Sequence, residues 1–397
     1  MIIAGGAYRE TCLHPSWRRL FGSGVRAAVA VSKLSPNTQL HTYVGRGWTN
    51  DFRATAATCG FELVATPTPK KIGFEYLHPL AKPTCYPPGI VPGTPIRCSG
   101  DVVLRFGFVE GDAIVSARRA IYDPQTGDKP APFFANGSTC LELAVVLNAV
   151  EAFNATGESD LEVSGPSLLR KWRADVVVIK GGSQGAAVFT RDAGRMNVPA
   201  YQTGRVFKVG SGDVFSALFA HCWGELNMDP SAAAQWASAA VADYVEFRQL
   251  PFLQLPSPIG RVPVAPSPRT RRVYLAGPFF NLPQLWMIQE TLKALESLGA
   301  EVFSPFHDVG FHPDSRRIAD MDLLGLRACD VILALVDGGD PGTLHEIGYA
   351  KALDPPKPVI LLAERFNPID LTMYVGTNCK VYNDFTTAIY ATMWEEL

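Results

Sequence analysis

The segment GDPGTLHEIGYA, residues 339–350, sets Asp340 six residues ahead of Glu346, and ADMDLLGL, 319–326, carries a further acid, Asp322. Carboxylates gathered at one crevice suit glycosyl chemistry. One attacks an anomeric carbon through an oxocarbenium-like transition state, and another manages the proton of the leaving group. Glu346 also has a purely structural reading. Thr343-Leu344-His345-Glu346 has the spacing of a capping box, with Thr343 as N-cap and Glu346 at N3. The two readings are compatible, because a carboxylate in the first helical turn feels the positive end of the helix dipole and stays ionised. That is the state a carboxylate nucleophile needs at neutral pH.

A second constellation lies in VFKVGSGDVFSALFAHCW, 206–223. The step Gly210-Ser211-Gly212 before a helix exposes backbone amides to an anion. Asp213 follows at once, placed to take a proton from an attacking hydroxyl. The competing reading is an N-cap aspartate after a glycine turn.

These residues need elements to hold them. After residue 270 the pattern is regular. Strands are expected at RRVYLAG, AEVFSPF, VILALV and KPVILLAE, and helices at 283–298, 315–328, 343–353 and 384–396. Strand–helix alternation with all-apolar strands implies a parallel sheet covered on both faces, with ligands beyond the carboxyl ends of the strands. Those ends carry Gly277-Pro278-Phe279, Pro305–Asp308, Asp337–Thr343 and Glu364–Asn367. In the N-terminal part MIIAGG, LHTYVG and ADVVVIKGG read as strands, and 24–34, 139–154 and 212–224 as helices. Residues 66–100 are Pro-rich and irregular. The stretch 250–270 holds six prolines and reads as a semi-rigid linker. The expected organisation is therefore a domain over 1–250, a linker over 251–270 and a domain over 271–397.

Composition sets the limits. The chain has 397 residues, 47% apolar and 19% charged, with a net charge of −2, which suits two globular cores and no phosphate-backbone partner. Its eight cysteines are scattered without metal-ligand spacing, as small buried hydrophobes in a reducing compartment would be. No run reaches membrane-spanning length and no signal peptide is visible, so the expectation is a cytoplasmic protein with no membrane partner.

VYLAGPFF, SPFHDVG, DLLGLRACDVILALVDGGDPGTLHEIGYA and NPIDLTM together resemble the nucleoside 2-deoxyribosyltransferase family over nearly all of 272–375. The resemblance implies a flavodoxin-like, doubly wound domain with Glu346 as nucleophile, Asp322 protonating or holding the base, and Asp340 holding substrate. Tyr274, Gly277, Pro278 and Phe279 would line the nucleoside pocket. The family often has an asparagine, supplied by a neighbouring subunit, where this chain has Asp370; a borrowed site implies a homo-oligomer. No cofactor is implied for this reaction. A base leaves, a covalent sugar–glutamate forms, and a second base or water attacks. Relatives in the superfamily cleave nucleotides or nicotinamide dinucleotide.

In the N-terminal part IYDPQ, LNAVEAFNATG, IKGGSQGAAVF and the GSGD step stand in an order similar to the ribokinase-like (PfkB) sugar and nucleoside kinases. The resemblance implies a ribokinase-like α/β domain using ATP and Mg2+. Gly210, Ser211 and Gly212 would form an anion hole and Asp213 the base. Asn148 and Glu151 would lie near magnesium, Glu151 reaching it through water and no residue ligating it directly, and Gly182 and Gly185 near the nucleotide. Three positions depart from the family. Glu10 is the nearest candidate for its sugar-binding acid, Arg26 replaces an asparagine, and Phe207 replaces an acid. Arg26 in a pocket built for a neutral sugar points to an anionic ligand.

Three functions follow. The first is a nucleoside-metabolising enzyme that breaks or exchanges an N-glycosidic bond, fused to a kinase. The second is a nucleotide or nicotinamide dinucleotide hydrolase, for instance an antiphage effector, with a degenerate kinase as ligand sensor. The third is a pair of nucleotide-binding domains reporting to a partner.

Overall fold

The computed structural model describes residues 1–125, 129–265, 269–365 and 368–396. Part of the expected linker (266–268) and the Asn367 end of the Glu364–Asn367 loop lie outside the described residues. The chain forms two compact units, one of Met1–Thr203 with Phe207–Val264, the other of Gly204–Val206 with Ala265–Leu397.

The first unit is built on a nine-stranded sheet. From one edge the strands are Gly194–Val198, Ala186–Thr190, Val176–Lys180, Thr139–Asn148, Ala113–Asp123, Ile96–Phe106, Ile2–Ala4, Gln39–Gly45 and Glu62–Thr68. All neighbours run parallel except at Ala186–Thr190, which is antiparallel to both of its partners. A smaller four-stranded sheet joins Trp17–Phe21, Tyr8–Cys12, Gly73–Tyr76 and Thr84–Tyr86, the last two of which are short strands within the irregular stretch over 66–100. Residues 139–154, expected as one helix, are instead a strand, Thr139–Asn148, followed by a helix, Ala149–Thr156. Leu143–Leu147 is a continuous apolar run, fully buried between parallel neighbours, and such a run has no period that separates strand from helix. The Pro-rich stretch stays paired to this unit up to Val264, whose amide donates to Ala200 O (2.8 Å), while Gln202 N donates to Val262 O (3.0 Å).

The second unit is a five-stranded, all-parallel sheet in the order Glu301–Phe303, Arg272–Ala276, Val331–Leu335, Val359–Leu362, Lys380–Tyr382. Numbered along the chain this is 2-1-3-4-5, the flavodoxin-like doubly wound order. Its three central strands are apolar and almost wholly buried, as a sheet covered on both faces requires. Helices start where side chains satisfy free amides: Asn281 accepts from Gln284 N, Asp314 from Arg316 N and Asp384 from Thr387 N. Helix Pro341–Ala352 starts earlier than expected, at Asp340 and not at Thr343.

All eight cysteines are free. Among the described residues no helix is long and apolar enough to cross a membrane.

Candidate functional site

In the second unit the capping role falls to Asp340, whose Oδ2 accepts from Thr343 N (2.7 Å) and Thr343 Oγ1 (2.8 Å). The expected capping box of Thr343 with Glu346 does not form. Glu346 is the sixth residue of its helix, in the second turn, so the dipole argument for its ionisation lapses. Burial dominates instead and pushes its carboxyl up to about 7, with the charges of Asp322 and Asp340 adding to the rise and a hydrogen bond from Tyr274 opposing it.

Tyr274 lies on the central strand Arg272–Ala276, fully buried, and its hydroxyl donates to Glu346 Oε1 at 2.7 Å. The hydroxyl of this expected pocket residue thus gives its proton to the glutamate. Its ring stacks on Phe303 with centroids 5.5 Å apart. Helix Ser315–Ala328 comes down on Phe303 through Gly325, where a Cβ would stand 2.4 Å from the ring. Asp322 is three residues before Gly325, one turn along the same face. Its Oδ1 is buried with no hydrogen-bond partner, and burial pushes its carboxyl up to about 6. Tyr274 thus holds Glu346 directly and the charge of Asp322 acts on both, so the three lie near one another, with Asp340 capping the helix that carries Glu346.

The expected pocket loop follows the same strand. Gly277 and Pro278 are buried, and a Cβ on Gly277 would meet Ile288 (3.0 Å) and Leu335 (3.1 Å), so that glycine serves close packing. Phe279 is half-buried and belongs to an aromatic group that sequence reasoning missed: Phe280, Phe306 and Phe311 have ring centroids 5.1, 5.4 and 6.1 Å from it. The aromatic letters of SPFHDVGF are the signal that could have found it. Asp370 is exposed on the short turn Pro368–Leu371.

In the first unit the GSGD step does start a helix, Ser211–Phe219, with Gly210 left-handed at the cap (φ 80°). Arg26, however, is not available to an outside anion. Its side chain is fully buried and forms ion pairs with Glu10 and Asp213. Its Nε donates to Tyr244 Oη (3.2 Å), which in turn donates to Val209 O (2.9 Å). Asp213 takes Arg26 on Oδ2 and Gln125 Nε2 on Oδ1 (2.6 Å). Phe207 packs on Trp17 at 5.3 Å.

Asn148 and Glu151 form a reciprocal capping box, each side chain accepting from the other's amide at 2.9 Å. Burial and the charge of Asp123 push Glu151 up to about 7, with Lys180 opposing. Asp123, inside IYDPQ, is a further residue that sequence reasoning missed; it accepts from Lys180 Nζ (2.8 Å) and Ser216 Oγ (2.7 Å). Gly182 and Gly185 shape a tight turn; a Cβ on Gly185 would stand 2.1 Å from Val198 O.

The second unit is thus a doubly wound α/β domain whose paired, raised carboxyls stand at the end of a parallel sheet. Residues 273–384 match the family model described as nucleoside 2-deoxyribosyltransferase. No curated protein matches the chain. Among solved structures, ribokinase from Thermotoga maritima is 17% identical, with 66% of this chain and 95% of that chain covered and a TM-score of 0.47. Aminoimidazole riboside kinase from Salmonella enterica is 15% identical, with 64% and 97% covered and a TM-score of 0.47. A pyrophosphate-dependent kinase in the ribokinase family is 18% identical, with 62% and 95% covered and a TM-score of 0.46.

Proposed function

We propose that the second unit cleaves or exchanges the N-glycosidic bond of a nucleoside or deoxynucleoside, or of its nucleotide, with Glu346 as nucleophile. The observation that carries this reading is the Tyr274–Glu346 hydrogen bond. It ties Oε1 and fixes the carboxyl plane, which leaves Oε2 to attack C1′. The C1′–N bond breaks with its electron pair going to the base, and the base takes up a proton, for which Asp322 is the nearby acid. The ester formed at Glu346 is then attacked by a second base or by water. Asp340 contributes charge beside Glu346 and, through its free Oδ1, a contact for the sugar. Phe279 and its aromatic neighbours offer π-faces to a nucleobase.

Glu346 must lose a proton that burial holds on it, and Asp322 must keep one. The charge of Asp322 acts on Glu346, so the two titrations are linked, and the reactive form, with the proton on Asp322 and the charge on Glu346, is the minor one of the two singly protonated forms. The reaction is therefore strongest between about pH 6 and 7, where the singly protonated pair is most populated.

The first unit is read as binding a phosphate-bearing ligand, ATP with Mg2+ being the proposed pair. Support comes from the amides at the start of helix Ser211–Phe219 and from Lys180, whose Nζ lies 3.5 Å from where a Cβ on Gly212 would stand. Glu151 would meet the metal through water, since its Oε2 is committed to the cap.

The test for the second unit is trapping. Full-length protein incubated with a slow 2-fluoro nucleoside analogue is digested and analysed by mass spectrometry. A sugar adduct on Glu346 supports the reading. Free base released with no adduct at Glu346, or with activity kept in Glu346→Gln, counts against it. Incubation with a nucleoside and a second base separates exchange from hydrolysis.

A further inference from the structure

We infer that Arg26 is a built-in occupant of the hydroxyl-acceptor position of the first unit, so that Asp213 is its counterion and not a base. The unit then binds a phosphate-bearing ligand without passing phosphate to an alcohol. This rests on the reading of that unit as a phosphate-ligand module.

A base at the head of the Gly210–Gly212 turn would need an oxygen free to meet an incoming hydroxyl within about 2.6–3.2 Å. Asp213 has both oxygens engaged, Oδ2 by Arg26 and Oδ1 by Gln125 Nε2. The place where the hydroxyl would stand is filled as well. A Cβ on Gly210 would lie 2.1 Å from both Cζ and Nε of Arg26, so the guanidinium rests directly on the turn. Glu10, the nearest match to a sugar-binding acid, is buried on the other side of the same guanidinium. The two acids that could hold an alcohol between them hold an arginine instead.

Arg26 is also locked. Tyr244 receives its Nε and ties itself to Val209 O, and the Phe21 ring lies 5.3 Å from Cζ. A guanidinium keeps its charge at any working pH and has no lone pair to accept a proton. It therefore cannot relay the proton that Asp213 is prevented from taking. On the phosphate side Lys180 and Ser216 both bond Asp123 Oδ2, and neither of these bonds involves Arg26.

The experiment uses the full-length protein. Wild type is given ATP, Mg2+ and a panel of nucleosides, pentoses, inositols and their phosphates, and acceptor-dependent ADP is followed by a coupled assay and phosphorus NMR. None is expected above the no-acceptor background. Binding of a non-hydrolysable ATP analogue is measured by calorimetry on the same protein. Arg26→Ala leaves two buried carboxylates unpaired; it is expected to melt about 10 °C lower and to regain most of that loss with millimolar methylguanidinium. Arg26→Ala combined with Asp213→Asn is expected to lose most of the rescue.

Acceptor-dependent turnover by wild type that falls 100-fold in Asp213→Asn overturns the inference. So does a folded Arg26→Ala that melts like wild type and ignores methylguanidinium. Should Arg26→Ala not fold, the wild-type turnover assay decides alone. Absence of ATP-analogue binding, with rescue intact, instead sinks the reading of the unit as a nucleotide-binding module and leaves the occupied acceptor position standing.

Discussion

Replacing Glu346 by Gln should abolish turnover and stabilise the second unit at the same time, and the two effects come from one cause. The wild-type carboxyl is raised from 4.5 to about 7, first by burial, then by the charges of Asp322 and Asp340. A raised acid binds its proton more tightly in the folded chain. Its contribution is therefore fully present below about pH 4.5 and is lost as pH rises through about 7. At about 1.4 kcal/mol for each tenfold change in proton affinity, the full span is worth about 3 kcal/mol. Solvent at the partly exposed end of the side chain lowers this to about 1–3 kcal/mol. A glutamine at this position is neutral throughout, and its amide oxygen can still accept from Tyr274, so the variant escapes the penalty without losing the hydrogen bond. For a domain of this size the gain at pH 8 is about 3–10 °C in melting temperature. The assay is scanning calorimetry of wild type and Glu346→Gln from about pH 4 to 8, with nucleoside cleavage measured alongside. The melting difference should be near zero at about pH 4 and open up between about pH 5 and 8, while turnover drops by at least about 10³-fold. A variant that melts lower than wild type at pH 8, or a difference independent of pH, would refute the argument that Glu346 is held against its charge.

Tyr274→Phe removes the one hydrogen bond that opposes the rise at Glu346. The acid limb of the pH–rate profile should move to higher pH, with turnover reduced about 10–100-fold at about pH 7. Asp322→Asn removes a like charge from Glu346, so that limb should move the other way, below about pH 7; the alkaline limb should vanish, with a fall of about 10²–10³-fold that shrinks for substrates with good leaving groups. Gly185→Ala would set a Cβ 2.1 Å from Val198 O at φ +87°, and chemical denaturation should show a loss above about 2 kcal/mol in the first unit. Asn148→Ala breaks the capping box and should cost about 1 kcal/mol by the same measurement.

Periodicity and chain order carried most of the second unit. Apolar strands alternating with helices implied the parallel sheet, and its doubly wound class agrees with the resemblance, but only four of the five strands were expected: the edge strand Lys380–Tyr382 is three residues long and partly exposed, too short to show a pattern. The errors share a physical origin. Leu143–Leu147 is buried on both faces and lacks a period, so strand and helix looked alike. Helix Pro341–Ala352 offered two capping residues three positions apart, and Asp340 prevailed because proline at the first helical position fits directly after it. That choice displaced Glu346 by a full turn and changed the physics of its charge from dipole to burial. Tertiary partners were the other blind spot. Arg26 meets Asp213 across 187 residues and Tyr244 across 218, and no local pattern encodes a pairing at that distance. The replacement of an asparagine by arginine was visible; the two carboxylates that close on it were not.

Burial raises the acids of both units, but in the first an arginine sits between two of them and in the second no cation does, and this difference bears on reactivity beyond what the motifs say. Asp213 is a buried carboxylate beside a permanent cation, with both oxygens bonded. Burial still raises its carboxyl against the opposing charge of Arg26, which it shares with Glu10, but both of its oxygens are bonded inside the protein and neither is open to a ligand. Glu346 and Asp322 are half-buried, the charge of one acting on the other, with no cation paired to either among the described residues, and the buried Asp322 Oδ1 has no partner. An uncompensated buried acid is costly in the free protein. It gains when a positive centre arrives, and an oxocarbenium-like carbon with a base awaiting a proton is that kind of partner. Binding of this kind strengthens as positive charge develops, which is the condition for lowering a barrier and not merely holding a substrate. A cation placed beside Glu346, for instance by Thr343→Lys, gives up the bond from the buried Thr343 Oγ1 to Asp340 and so costs stability; in the folded fraction it should depress the pKa of Glu346 and slow turnover while nucleoside binding persists. Retained turnover in that variant, with the pH limb shifted down, would show that the absence of a counterion is not what makes the site work.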